Sequence, residues 1–560
     1  TTTNGNGTTW QVADINSGTA SSGSGSFMEI LVGDTLYFDA ADASSGKELW
    51  AHDTSNASTW QVADIKSGGG TSYPGQYMSI LVGDTLYFSA YDVSSGIELW
   101  AHDTSNASTW RVTDIHSSGG SNPGQFMEIL VGDTLYFGAT DASSGHELWA
   151  HDTSNASTWR VADIDSGTDS SNPGNYMEIL VGDTLYFSAN DGSSSHELWA
   201  HDTSNSSTWR VTDINSGTGG SNPGHFMEIL VGDTLYFGAT DGSSGRELWA
   251  HDTSNASTWQ VADIDSGTGG SVPGVYMETL VGDTLYFSAT DGSSGRELWA
   301  HDTSNSSTWR VTDINSGSGH SYPGQYIEIF VGDTLYFSAT DASSGHELWA
   351  HDTSNASTWR VADINSGTSS SSPGNYMEIF VGDTLYFSAY DGSSGIELWA
   401  HDTSNASTWR VTDIHSSGSS NPGQYGGGIL VGDTLYFDAD DGSSGVELWA
   451  HQPGEITSLS SGSGSGSGGM TNVTNATSCV ASPSLPNGLN IDSSTCTISG
   501  TPTVTTSNAT YTVTAVINSV TFQTTIWLSS SYLELTPSAE GADLIIDEAM
   551  TNITFQYNDT

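Results

Sequence analysis

The sequence predicts an all-β protein dominated by one large β-propeller of about nine four-stranded blades, and three observations carry that prediction. A pattern recurs every 49 to 50 residues between Trp10 and Trp449. Each period holds four short apolar or aromatic runs separated by turn chemistry, the mark of consecutive antiparallel strands. The two ends of the array are out of phase: a lone fourth strand at Trp10 to Ile15 opens it, and His451 closes it without one. Nine three-strand sets and nine fourth strands therefore match only if the first strand completes the last blade. That closure hides both sheet edges, whereas an open solenoid, the alternative together with a smaller ring plus an overhang, leaves an edge that invites aggregation.

Residues 127 to 164 show how one period builds its elements. Met127 to Val131 reads as strand a. Gly132-Asp133 is a two-residue hairpin turn, since glycine tolerates the positive φ that such turns require. Thr134 to Ala139, with Leu135, Tyr136 and Phe137, is strand b. Asp141 to Gly145 turns the chain into strand c, Glu147 to His151, and Asp152 to Ser157 turns it again into strand d, Thr158 to Ile164. A Ser/Gly loop ending in Asn172-Pro173-Gly174 leads to the next strand a. Eighteen of the 19 Trp fall at two repeated positions, one on strand c (Trp149) and one on strand d (Trp159), and both are expected in the core between blades.

Charge narrows the function classes. The 560 residues carry 65 Asp and Glu against 10 Lys and Arg, a formal net charge of −55. Nucleic acid and anionic lipid both demand clustered bases, so neither is an expected partner. Aromatics make up 10% of the chain, which separates it from disordered acidic proteins. No 18-residue apolar run exists, so no membrane-inserted helix is expected. The chain opens on Thr1-Thr2-Thr3-Asn4 with no signal peptide and no initiator Met, as expected of a processed product. Acidity with abundant Ser, Thr and Gly points to an extracellular or cell-surface protein in salty water.

The run Leu135-Tyr-Phe-x-Ala-x-Asp-x-x-x-Gly-x-Glu-Leu-Trp-x-x-Asp152 and its eight copies resemble the ELW-type repeats of large secreted microbial proteins, which implies propeller blades in adhesive or surface architectures. Ala150 to Trp159 is similar to the Asp-to-Trp turn of quinoprotein and kelch-type propellers. It lacks the Thr-Gly pair and one residue of spacing, so no quinone cofactor follows. The resemblance covers residues 8 to 452, and the propeller is assigned to 1–452. Residues 453–469 are a Gly/Ser linker. Residues 470–530, with Leu485-Pro-Asn-Gly-Leu489 and Ile498-Ser-Gly-Thr-Pro502, resemble the tandem immunoglobulin-like modules of microbial surface proteins, related to cadherin-like folds, which implies a β-sandwich. Cys479 and Cys496 suit a bridge across its strands; two free buried thiols are the alternative. Residues 531–560 read as an incomplete second module, because Met550-Thr-Asn-Ile-Thr554 repeats Met470-Thr-Asn-Val-Thr474. Their apolar residues Leu544, Ile545, Ile546, Ile553, Phe555 and Tyr557 are expected to pair with a neighbouring subunit by strand addition.

N-glycosylation acceptors recur four residues before each strand-d Trp, at Asn6, Asn56, Asn106, Asn155, Asn205, Asn255, Asn305, Asn355 and Asn405, and again at Asn472, Asn475, Asn508, Asn552 and Asn558. Fifty-one of the 65 acids occupy six repeated positions, represented by Glu128, Asp133, Asp141, Glu147, Asp152 and Asp163. Asp at turns caps backbone amides, and the remaining acids are expected to be solvated. Calcium is the one cation the Asp-Ser-Gly loops could take, but no EF-hand pattern is present, so no cofactor and no metal site are assigned. The His after each Trp-Ala, such as His151, reads as a structural hydrogen-bonding residue. The variable position holding Lys47, Ile97, His146 or Arg246 builds nothing consistent. Residues copied nine times cannot set one nucleophile beside one distinct base, so no catalytic residue and no enzyme are expected. The expected function is structural or adhesive: a repeating subunit of an extracellular filament or coat, partnered by copies of itself and by surface glycans. A glycan-binding, lectin-like propeller is the alternative.

Overall fold

The computed structural model describes residues 7–193 and 195–453, and by backbone alone the strands Ser478–Ser482, Leu489–Ile491, Ile498–Gly500, Thr506–Ile517 and Val520–Ser530. All regular structure among these residues is β. The chain divides into two compact units, one of them formed by Thr9–His401 with Ala406–His451. That unit is a nine-bladed propeller, each blade a four-stranded antiparallel sheet.

Blade 3 stands for the rest. Its strands are a Glu128–Val131, b Thr134–Asp141, c Gly145–Asp152 and d Ser157–Ala162. Val131 pairs with Thr134 across the two-residue turn, and Gly132 supplies the single positive φ, 60°, that a type II′ hairpin needs at its first position. Alternation along strand b divides its side chains between two neighbours. Leu135, Phe137 and Ala139 pack against Tyr87, Leu99 and Ala101 of blade 2, while Tyr136, with Leu148 and Ala150 of strand c, meets Leu185, Phe187 and Ala189 of blade 4. The core is thus nine similar wedges between blades. Emptying one by Leu148→Ala is expected to cost about 2–5 kcal/mol, read by thermal unfolding.

The ring closes as the ends of the array predict. Strand d of blade 9 is the N-terminal Thr8–Ala13, laid beside Val446–Gln452. Thr9 Oγ1 shares a hydrogen bond with His451 Nδ1 (2.8 Å), and Glu447 accepts from the Ile15 N–H (2.9 Å) and the Ser22 N–H (3.1 Å). Val12 and Ile15 pack against the last wedge.

In the C-terminal strands, Thr506–Ile517 pairs with both Ser478–Ser482 and Val520–Ser530, and Leu489–Ile491 pairs with Ile498–Gly500.

Two expectations about buried and exposed residues are corrected. The strand-c Trp series belongs to the wedges, as Trp149 and Trp199 do, and of the strand-d series Trp409 alone joins one. The strand-d series Trp10, Trp60, Trp110, Trp159, Trp209, Trp259, Trp309 and Trp359 stands 37–40% exposed. Strand d is the outermost strand, so one of its faces has no blade to meet. Nor are all the repeated acids solvated. The strand-c Glu, such as Glu147, is fully buried in all nine blades, and the strand-a Glu, such as Glu128, is half-buried.

Candidate functional site

Four sets of side chains stand out from the wedges. The first is the polar framework of the turns. Asp152 accepts from the Ser154 N–H (2.9 Å) and from Asn155 Nδ2 (2.6 Å), and Asn155 Oδ1 accepts from the Ser157 N–H (3.0 Å). Asp141 likewise accepts from the N–H groups of Ser143 (2.6 Å) and Ser144 (2.7 Å). These Asp residues are turn caps, as their spacing implies. Arg160 bridges Asp141 (3.7 Å) and Asp163 (3.5 Å) on the outer rim. Where Gln replaces Arg, as at Gln61, it donates instead to Ser45 Oγ (2.9 Å). His151 shares a 2.8 Å hydrogen bond with Thr158 Oγ1, and its ring tilts against Tyr87 of the adjoining blade at 5.5 Å. Burial keeps His151 below the usual histidine range, so this ring position is structural and uncharged.

The second set is a relay of carboxyls along strand a. The Glu128 N–H donates to Glu178 Oε2 (2.9 Å), Glu178 N–H to Glu228 (3.1 Å), Glu228 N–H to Glu278 (2.8 Å), Glu278 N–H to Glu328 (3.2 Å) and Glu328 N–H to Glu378 (3.2 Å). Every bond runs in one direction, from a blade to the next. Burial raises these carboxyls, Glu128 to about 7 and Glu228 to about 8. Ser79 in blade 2 and Gly428 in blade 9 replace the Glu and interrupt the relay.

The third set lies just before strand a, on the face of the b–c and d–a loops. Every blade places an aromatic residue there, Phe27, Phe126 and Tyr176 among them, and Phe27, Phe126, Phe226 and Tyr425 are exposed. Phe126 (φ 77°) and Phe226 (φ 86°) hold a left-handed backbone that bulky residues seldom adopt. In five blades the variable position at the start of strand c meets this aromatic residue, a pattern that sequence reasoning missed, while Ile97, Ile396 and Val446 supply neither a cation nor a ring. Lys47 lies over Phe27 (5.2 Å) and Arg296 over Tyr276 (5.7 Å), while His146 meets Phe126 (5.6 Å), His196 meets Tyr176 (5.1 Å) and His346 meets Tyr326 (5.0 Å). In those five blades Lys, Arg and His are interchangeable because each can satisfy an aromatic ring.

The fourth set breaks the symmetry, at the seam between blades 9 and 1. The strand-b residue that is Ser or Gly in the other seven blades is Asp39 in blade 1 and Asp438 in blade 9. Asp39 accepts from the Phe27 (2.7 Å) and Met28 (3.0 Å) N–H groups and pairs with Lys47 Nζ (2.8 Å). Asp438 accepts from the N–H groups of Tyr425 and Gly426, each at 3.1 Å. Glu29 faces both. It keeps partial contact with solvent yet sits deep among protein atoms, and burial, then Asp438, then Asp39 push its carboxyl up to about 8. Burial also raises Asp438 to about 6. Two copies of Leu-Tyr-Phe-Asp-Ala, at the first and last blades, mark this cluster in the sequence.

A pH dependence follows. Glu29, Glu228 and their equivalents have folded-state values above their ordinary 4.5, so the folded ring holds more protons than the unfolded chain between 4.5 and about 8. Their contribution is full below that window and is lost as pH rises through it. The buried His residues act oppositely: His346, lowered to about 4, costs stability as pH falls below 6.5. Above 6.5 only the carboxyls titrate, so the melting temperature is expected to fall as pH is raised to 8.5. Glu29→Gln is expected to flatten that fall, and a variant with the wild-type slope refutes the seam's part in it.

Of the predicted acceptors, Asn56, Asn106, Asn155, Asn205, Asn255, Asn305 and Asn355 are exposed in c–d turns, beside the exposed Trp. Asn405 occupies the same turn of blade 8. Asn6, Asn472, Asn475, Asn552 and Asn558, the Cys496 half of the proposed bridge, and Leu544, Ile545, Ile546, Ile553, Phe555 and Tyr557 lie outside the described residues; Asn508 and Cys479 are described by backbone alone. Among the described residues no three His, Cys, Asp or Glu side chains converge to hold a metal.

Residues 452–529 match the family described as "Putative Ig domain", so an immunoglobulin-like domain follows the propeller. No curated protein matches the sequence. Among solved structures the chain is similar to a prolyl endopeptidase studied for the role of inter-domain dynamics in catalysis and specificity, at 11% identity and a TM-score of 0.37, covering 68% of this chain and 55% of that one. It is also similar to puromycin hydrolase, at 10% identity and a TM-score of 0.34, covering 66% of this chain and 61% of that one. A third is the puromycin-hydrolyzing peptidase of Mycobacterium tuberculosis, at 10% identity and 0.34, covering 64% and 57%. The chain thus spans less than two thirds of each. The expectation that the protein is not an enzyme is corrected: these neighbours carry the names of hydrolytic enzymes, at a similarity too low to pass an activity to this chain or to exclude one. Its premise fails as well: ninefold copying does not leave the ring without a unique constellation, because Glu29, Asp39, Lys47 and Asp438 occur together once among the described residues.

Proposed function

We propose that the protein is an adhesive or structural component of an extracellular surface, whose ring displays the same contact groups many times over. The observation that carries this reading is the recurrence of exposed aromatic side chains on two surfaces: Phe or Tyr before strand a, and Trp on strand d. Weak contacts repeated on one rigid ring gain strength by multivalency without any single deep pocket. The repeated acidic turns keep that surface hydrated in salt. Assembly into a filament or coat is assigned to residues 531–560, through strand addition to a neighbouring copy. Electron microscopy of the native material and of a chain lacking residues 533–560 tests this: filaments or sheets are expected from the first and single rings from the second. Single rings from both overturn it.

A second reading, a glycan-binding propeller, is favoured by the outward Trp series, because exposed indole faces are what carbohydrate rings stack upon. A glycan array probed with the whole chain tests it, and an array without bound sugars rejects it.

A further inference from the structure

We infer that the exposed strand-d tryptophans of blades 1 to 7 are platforms for the protein's own asparagine-linked sugars, each glycan lying across the indole of the blade that carries it. The inference rests on the extracellular reading above. Each of these blades leaves one large apolar side chain on its outer strand, such as Trp159 at 40% exposure, in a rim otherwise made of Thr, Asp, Asn, Ser and paired Arg. An indole so placed keeps apolar area in contact with water that a suitable cover would remove.

The cover is tethered nearby. Asn155 is exposed, and its amide is held in place: Oδ1 accepts from the Ser157 N–H (3.0 Å), and one Nδ2 hydrogen goes to Asp152 Oδ2 (2.6 Å). The second Nδ2 hydrogen is the one that glycosylation replaces. In that transfer the amide nitrogen attacks the anomeric carbon of a lipid-diphosphate-linked oligosaccharide. The N–C bond forms, the C–O bond to the diphosphate breaks, the amide proton is lost, and the lipid diphosphate departs. Ser157, which fixes the amide, stands two residues before Trp159 on the same strand, and residues i and i+2 share a face about 7 Å apart. The first two sugars of a glycan span that distance.

The chemistry fits a sugar better than a charged occupant. The nearby cation is already engaged, Arg160 lying 3.7 Å from Asp141 and 3.5 Å from Asp163, and the excess of Asp over Arg disfavours an anion. A pyranose offers a face of C–H groups to the indole and hydroxyls to the Thr and Asp around it. The arrangement repeats at Asn56 with Trp60, Asn205 with Trp209 and Asn255 with Trp259. Blade 8 differs, its Trp409 being half-buried against the wedge, and it serves as an internal comparison.

The test uses the full chain made in a glycosylating secretory host and, in parallel, in a bacterial cytoplasm. Intact mass reports occupancy; thermal unfolding of Asn155→Gln, Trp159→Ala and the double variant reports coupling; acrylamide quenching of Trp fluorescence reports cover. Quenching is expected to fall in the glycosylated chain, and the two substitutions are expected to be non-additive there and additive in the bacterial one. If Trp159→Ala does not fold, the quenching comparison on the unsubstituted chain decides. Secreted chain without any glycan overturns this inference and leaves the adhesive reading, which electron microscopy tests, in place. Occupied sites with unchanged quenching overturn the stacking alone.

Discussion

A chain lacking Thr8–Ala13 is expected to lose its closed ring and associate into oligomers. Blade 9 would keep only its a, b and c strands, and Val446–Gln452 would become an edge with unpaired N–H and C=O groups. Such an edge is a template for pairing with another copy. The lost strand also buries Val12 against the last wedge and holds Thr9 to His451. Together with its ladder these contacts are worth on the order of 5 kcal/mol. Light scattering and thermal unfolding measure both effects. Moving the same six residues to follow Gln452 behind a turn copied from residues 153–156 of blade 3 is expected to restore a monomeric ring. A truncated chain that stays monomeric with an unchanged melting temperature shows that the N-terminal strand is dispensable.

Glu147→Ala is expected to be the most destabilising substitution of a polar residue in a blade, and Glu147→Gln the milder one. Glu147 accepts from the Ile164 N–H (2.8 Å), the Ser171 N–H (3.1 Å) and Ser171 Oγ (2.7 Å), the two bonds from Ser171 being buried and that from Ile164 half-buried. It thereby ties the end of strand d and the d–a loop to strand c, and that loop runs on to the next blade, where the Asn190 N–H donates to the Ser171 carbonyl (2.9 Å). Alanine leaves three donors unsatisfied and costs about 3 kcal/mol or more. Glutamine keeps one acceptor oxygen and is expected to cost about 1 kcal/mol. Burial raises Glu147 to about 7, so the deficit of each variant against the wild type should widen as pH falls through that value, while the difference between the two variants, which both lack the carboxyl, should stay constant. Equal losses from Ala and Gln would mean that packing, not acceptor chemistry, sets the effect.

The period, the four strands, the hairpin glycines and the closing strand were legible in the sequence because each depends on local signals or on counting. Gly132 between two β-prone runs allows few other turns, and a missing fourth strand at one end with a spare at the other leaves one economical closure. The facing of the strand-d Trp was not legible. A register shift between Leu148 and Trp149, where strand d carries one extra residue, interrupts the alternation that would place Trp159 by parity. The burial of Glu147 escaped as well, since its donors arrive from Ile164 and Ser171, well away from strand c in the sequence. The seam was written in plain view at Asp39 and Asp438. It reads as trivial variation until the fold brings the first and last blades together.

The closing strand also sets a schedule. Thr9 and His451, bonded to each other, stand 442 residues apart in the sequence. Blades 1 to 8 draw all four strands from consecutive sequence, so each can form as soon as its own segment leaves the ribosome. The ninth cannot: its outer strand is made first and must wait, unpaired, while nearly all of the ring is synthesised. Closing so long a loop costs chain entropy that local blades do not incur. The last blade is therefore the kinetic bottleneck, and a nascent chain halted before Val446 carries a free strand at one end and an open wedge at the other.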